Sequence, residues 1–165
     1  MQLTLHSDYA LRTLLYLGLH QGRPVPVGEV AGAYGISANH VAKVAQALVT
    51  NGFARARRGR TGGLELATPP AELTVGAVVR ATEPTLDLLA CFDRERSSRS
   101  GDRSSTACPI TSACKLKRSL REARDAFLAV LDRTTLAELL ENGPALARLL
   151  PLAGAAPVAR GSRRG

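Results

Sequence analysis

Between Val27 and Leu66 the chain reads as helix, glycine turn, helix and glycine-tipped hairpin, and few folds accept that order. The stretch VGEVAGAY, Val27 to Tyr34, predicts a short helix. Gly35 suits a left-handed stop, and Ser37 can cap the helix that follows. That second helix, roughly 38–50, carries Val41, Val44, Ala45 and Leu48 on one face, with Asn39, His40, Lys43 and Gln46 toward the other. A short helix, a tight glycine turn and a second helix with a polar outer face make helix-turn-helix grammar. Asn51-Gly52 ends the pair, and FARARRGRTGGLELATP follows. Phe53, Ala54 and Ala56 alternate with arginines, and Leu64 and Leu66 flank Glu65, so this piece predicts a β-hairpin with RRGRTGG as its tip. A hairpin placed directly after the second helix is the wing of a winged helix. Its glycines let the loop approach a phosphate backbone or enter a narrow minor groove, whose negative potential favours arginine.

The flanking segments supply a scaffold and an assembly element. Ser7 is expected to cap a first helix, with Asp8 in its first turn, and SDYALRTLLYLGLH predicts a helix buried over much of its circumference. HQGRPVPVG breaks it. Leu73 to Thr82 predicts another helix, stopped by Pro84, and a leucine-rich piece from Leu86 leads to Cys91. Residues 93–106, DRERSSRSGDRSST, are nearly devoid of apolar side chains and predict a mobile loop. A helix is expected from about 111 to 132, striped by Leu116, Leu120, Ala123, Phe127, Val130 and Leu131. That stripe has no obvious partner in so small a chain, so pairing with a second copy is expected. Short helices at Leu136–Leu140 and Ala145–Leu150 and a disordered tail over 151–165 complete the chain. The expected fold is mainly α with a small β-hairpin. Its expected units are a winged helix-turn-helix DNA-binding region (1–70), a cysteine-bearing loop with a dimerisation helix (71–132) and short C-terminal helices (133–150).

Charge narrows the partner. The 165 residues carry 22 Lys and Arg against 14 Asp and Glu, a net +8, which points to a polyanion, most commonly nucleic acid. Residues 1–70 hold seven basic and three acidic side chains, and Arg55, Arg57, Arg58 and Arg60 fall within six residues with no acid among them. At 45% apolar residues a core can form. No apolar run reaches the roughly 18 residues of a membrane span, and MQLTLHSDYA lacks a leader pattern, so the expected location is cytoplasmic, with no membrane partner. There the three cysteines are expected as buried thiols, a reactive thiol or metal ligands. Cys108 and Cys114 flank a proline in a polar segment, which favours ligation over burial. Zinc would use the same thiolates, but its usual C-x2-C knuckle is absent. No catalytic carboxylate pair, nucleophile–base arrangement or nucleotide-binding glycine loop is present, so no enzyme activity is expected. On the DNA side, Ser37, Asn39, His40 and Lys43 are the candidate readers, Asn39 for a base edge and Lys43 for phosphate, while Arg57, Arg58 and Arg60 serve the wing.

LTLHSDYALRTLLYLG at the start, the Ser37-to-Leu48 helix, the RRGRTGG wing and CPITSACKLKRSL together resemble the family of iron–sulfur winged-helix transcriptional regulators. The resemblance spans about residues 1–150, apart from 93–106. It implies a homodimer with a long crossing helix and a pseudo-palindromic double-stranded DNA operator. In the nitric-oxide-sensing repressor branch it implies an iron–sulfur cluster held by three cysteines of one subunit and an aspartate of the other. The matching positions are Cys91, Cys108, Cys114 and the partner subunit's Asp8. Another branch carries a histidine three residues after the last cysteine, where this chain has Lys117. Three thiolates and one weak carboxylate suit a [4Fe-4S] cubane with one displaceable ligand, where a small diatomic can attack. The spacing C-x16-C-x5-C departs from the family, whose first two cysteines are closer, and leaves a smaller [2Fe-2S] centre or an oxygen ligand open if Cys91 does not ligate. Alternative roles are an iron- or redox-responsive regulator of the same family and an iron–sulfur electron-transfer protein. The arginine wing speaks against the last.

Overall fold

The computed structural model describes residues 2–59, 61–89, 92, 108, 110 and 113–150. Helices α1 (Leu5–Leu19), α2 (Val27–Tyr34) and α3 (Ala38–Thr50) precede strands β1 (Ala54–Arg57) and β2 (Gly63–Leu66). Then come α4 (Val75–Thr82), α5 (Lys115–Arg133), α6 (Leu136–Leu139) and α7 (Gly143–Leu149). The fold is the expected one, mainly helical with a winged helix-turn-helix.

The core is built around α1. Ala10, Leu14, Tyr16 and Leu17 are each at most 2% exposed, and the helix packs on α3, α4, α6 and β2. A leucine-dense helix with almost no polar face has to be covered on most sides, and here it is. Its cap differs from expectation. Thr4, not Ser7, is the N-cap, accepting the Ser7 N–H at 3.3 Å. Ser7 is fully buried instead, its hydroxyl 2.7 Å from that of Thr82.

Gly35 closes α2 in the left-handed region at φ 65°, and the Ile36 N–H returns to the Ala31 carbonyl at 2.9 Å. α3 buries Val41, Val44, Ala45 and Leu48 under the turn. The strands pair antiparallel with Ala54 opposite Leu66, Arg55 opposite Glu65 and Ala56 opposite Leu64. Val25 adds a bridge to Leu64. A side chain at Gly63 would meet the Val25 carbonyl at 2.5 Å, so this position admits only glycine.

The second half shows two boundary shifts. Leu73 is buried but lies before α4, in extended backbone that accepts the Leu136 N–H at 2.8 Å. α5 starts at Lys115, with Cys114 as its N-cap. The stripe of α5 stays largely open within the chain: Leu128 packs inward, while Leu116 and Val130 are 61% and 53% exposed. The eight residues of α4 meet the C-terminal part of α5, where Arg80 makes a bidentate pair with Asp132, so the other face of α5 stays open. The loop expected over 93–106 and the tail over 151–165 lie outside the described residues.

α4 and α5 approach closely at Gly76. A Cβ there would collide with the Asp132 carboxylate and stand 2.9 Å from its backbone nitrogen. Gly76→Ala is expected to lose about 1–3 kcal/mol from overpacking, more than the roughly 1 kcal/mol that helix propensity returns. Urea unfolding at pH 7 checks this, and an unchanged midpoint contradicts it.

Candidate nucleic-acid interface and metal ligands

α3 presents the expected face. Ser37, Asn39, His40 and Lys43 are all exposed on its first two turns. Ser37 occupies the N-cap but its hydroxyl makes no capping bond, so it stays available at the positive end of the helix. The His40 ring lies 6.0 Å from that of Tyr9, which ties the reading helix to α1.

The wing is less free than the sequence implied. Arg55 and Arg57 both reach Glu65 on the opposite strand, at 2.9 and 3.4 Å. The Arg55 hydrogen bond, ahead of that from Arg57, holds the Glu65 carboxyl below its ordinary range. The expectation of four arginines without an acid is therefore corrected: register places Glu65 directly opposite Arg55. Arg58 is exposed and makes no ion pair among the described residues, next to Gly59 at φ 116°. Arg60 lies outside the described residues. A cleft of about 350 Å³ between the end of α1 and the hairpin is lined by His20, Arg23, Arg55, Arg57 and Glu65. Its arginines are already held by Glu29 and Glu65.

Between α1 and α2, Arg23 binds Glu29, and the Tyr16 hydroxyl donates to Glu29 at 3.0 Å. Burial, and then the Glu29 carboxylate, pushes the Tyr16 phenol up to about 12. The Arg23 hydrogen bond holds Glu29 below its ordinary value of 4.5. This network fixes α1 against α2.

The candidate ligands are dispersed. Cys108 is exposed and Cys114 half-buried, neither in a disulfide. Cys114 Sγ accepts the Lys117 N–H at 3.4 Å and caps the N-terminus of the 19-residue α5. Cys91 lies outside the described residues. Its neighbour Phe92 is buried on α5, with the Arg121 and Arg124 guanidiniums 5.9 and 5.6 Å from its ring centre. Arg124 also pairs with Asp87 at 3.2 Å. Asp8 sits in the first turn of α1, paired with Arg12 at 2.9 Å, and Arg12 lies 5.8 Å over the Tyr34 ring. Among the described residues no group of three or more His, Cys, Asp or Glu is placed to hold a metal ion within one chain.

Sequence reasoning missed the polar contacts around Asp8. Glu83 accepts from the Thr4 N–H at 2.8 Å and from the Thr4 hydroxyl at 3.1 Å. Burial pushes the Glu83 carboxyl up, but hydrogen bonds from Ser7 and Thr4 outweigh it and leave it below the ordinary range. These residues lie some 79 positions apart, and no local pattern pairs them.

Residues 3–142 match the model of the Rrf2 family, described as iron-dependent transcriptional regulators. The chain is 42% identical over 151 residues to the HTH-type transcriptional regulator NsrR of Geobacillus kaustophilus, covering 91% of this chain and 97% of that one. It is 42% identical over 153 residues to NsrR of Halalkalibacterium halodurans, covering 92% and 99%. Among solved structures it is similar to IscR of T. potens, with a TM-score of 0.65, 21% identity and coverage of 89% and 91%. CymR, the global cysteine regulator of B. subtilis, gives 0.64 and 23%, with coverage of 84% and 95%.

The Glu29 network makes a pH prediction. A carboxyl whose folded pKa is depressed stabilises the fold above its ordinary value, 4.5 here, and loses that contribution as pH falls toward the folded value. Wild-type stability should therefore drop as pH falls below the ordinary value of 4.5, and Glu29→Gln should flatten part of that slope. Urea midpoints across this range provide the check; parallel curves for the two proteins contradict it.

Proposed function

This chain belongs to the Rrf2 family of iron-dependent transcriptional regulators, and we propose that it is a DNA-binding repressor whose iron–sulfur cluster senses nitric oxide. Family membership makes it a regulator rather than an enzyme. The observation that carries the narrower reading is the 42% identity, over more than nine-tenths of the chain, to two regulators named NsrR. The protein would act in the cytoplasm as a homodimer on a pseudo-palindromic operator. Residues 1–70 would bind DNA, 71–132 would carry the ligand segment and pair two copies, and 133–150 would brace them.

In the DNA complex α3 would enter the major groove, with Asn39 and His40 facing base edges and Ser37 and Lys43 gripping phosphate. Arg58 would lead the wing, with Arg60 beside it. Arg57 would contribute once DNA competes with Glu65 for its guanidinium.

Cys91, Cys108 and Cys114 would hold the cluster, with the partner subunit's Asp8 as the fourth donor. The donor set fits: two thiols precede α5, neither in a disulfide, and Asp8 is a half-exposed carboxylate. A [4Fe-4S] cluster suits this set, with one donor to each iron, and a [2Fe-2S] centre would take the same four donors, two on each iron. When bound, the cluster supplies iron that a small diatomic can attack. The chain's own part is mechanical. Asp8 pairs with Arg12, Arg12 covers Tyr34 at the end of α2, and Tyr9 meets His40 of α3. A change at Asp8 thereby reaches both helices of the DNA-reading pair.

The family's description as iron-dependent favours a second reading, in which iron supply rather than nitric oxide is the signal. Faster cluster loss with nitric oxide than with oxygen or a chelator supports the first reading, and the reverse order supports the second.

Anaerobically reconstituted protein should bind its operator and release it after stoichiometric nitric oxide; equal binding before and after overturns the sensing role. Lys43→Ala should weaken binding to all sequences alike and reduce the slope of log affinity against log salt by about 1, whereas Asn39→Ala should cost about 1–3 kcal/mol at one base position. Fluorescence anisotropy titrations at several salt concentrations separate the two.

A further inference from the structure

A polar clasp joins the first turn of α1 to the last turn of α4. The Ser7 and Thr82 hydroxyls lie 2.7 Å apart in the interior, where Ser7 is 0% and Thr82 8% exposed. Thr82 also donates to the Val78 carbonyl at 2.9 Å. Glu83, the C-cap of α4, accepts both the backbone N–H and the hydroxyl of Thr4, the N-cap of α1. Among the described residues no buried side-chain polar atom lacks a partner, so the clasp is fully satisfied. Apolar side chains would fill this junction at no desolvation cost. What hydrogen bonds add is a fixed register, because they tolerate no slip between the two helix ends.

The position of the clasp gives that register a use. Asp8 follows Ser7 directly. Pro84 follows Glu83 and opens the segment that runs to Phe92 on α5. α1 itself packs on α3. We propose that Thr4, Ser7, Thr82 and Glu83 are positioning residues that hold the Asp8 turn in place for ligation and couple it to the cysteine-bearing segment of the same chain. This rests on the reading of Asp8 as a donor to the partner subunit's cluster. Because Asp8 serves one cluster and the segment after Glu83 serves the other, the clasp links the two sites of the dimer. A displacement at either site is passed to α1 and on to α3.

A double-mutant cycle tests this in the cluster-loaded dimer. The readouts are the rate of absorbance loss in excess chelator and, in the metal-free protein, hydrogen exchange of amides 4–8. Glu83→Ala is expected to speed cluster loss about five- to tenfold and amide exchange at Ser7 by at least as much. Glu83→Gln keeps an acceptor for Thr4 and should restore most of the wild-type rate. Ser7→Ala with Thr82→Val, which leaves no orphaned hydroxyl, should reproduce the acceleration in case Glu83→Ala does not fold. In an Asp8→Ala background the clasp substitutions should add nothing to cluster loss. If Asp8→Ala alone leaves cluster loss unchanged, the ligand reading fails. If Asp8→Ala accelerates loss but the clasp variants stay within twofold of wild type, or add their full effect on top of Asp8→Ala, the clasp proposal fails and the ligand reading stands.

Discussion

The burial of α1 is the constraint on which the remaining structure depends. Its middle turns are covered by α3 on one side and by α4 and α6 on others, so the reading helix and the second half of the chain share one apolar support. Removing a buried leucine of this kind costs several kcal/mol through lost transfer energy and the cavity left behind. The same helix carries Asp8 at one end and the Tyr16–Glu29 network near the other. A rigid, fully packed rod can report the state of one end at the other, because a close-packed core shifts as a unit and does not deform gradually.

α5 follows a different logic. It buries Leu128 and is tied to α4 through Arg80 and Asp132, yet Leu116 and Val130 remain exposed on a stripe with Leu120, Ala123 and Phe127 at coiled-coil spacing. An apolar stripe of that length is the kind of surface that a second copy covers. Its N-terminal end is capped by Cys114, so the open stripe starts beside a cysteine.

Much of this was legible in the sequence. The helix, glycine turn, helix and hairpin over 27–66 rest on local rules of capping, periodicity and turn chemistry, and the structure follows them nearly residue by residue. The family signature around CPITSACKLKRSL likewise agreed with the Rrf2 match. What escaped was non-local. Ser7 reads as a cap from its neighbours alone, and only the arrival of Thr82 from α4 explains why it is buried. Glu65 looked remote from the arginine run until the hairpin register set it opposite Arg55. That the stripe of α5 finds no cover within the chain could be read from the sequence, whereas Leu128 turning inward depends on where α4 packs.

The claim at the centre is that this regulator carries an iron–sulfur cluster on its three cysteines. Iron and acid-labile sulfide analysis of anaerobically purified protein, with its visible spectrum, tests it most directly. The account predicts iron and sulfide in near-equal amounts, close to four of each per chain for a cubane, and loss of both when the three cysteines are replaced by alanine. Colourless protein, or protein that holds zinc in place of iron, would contradict it.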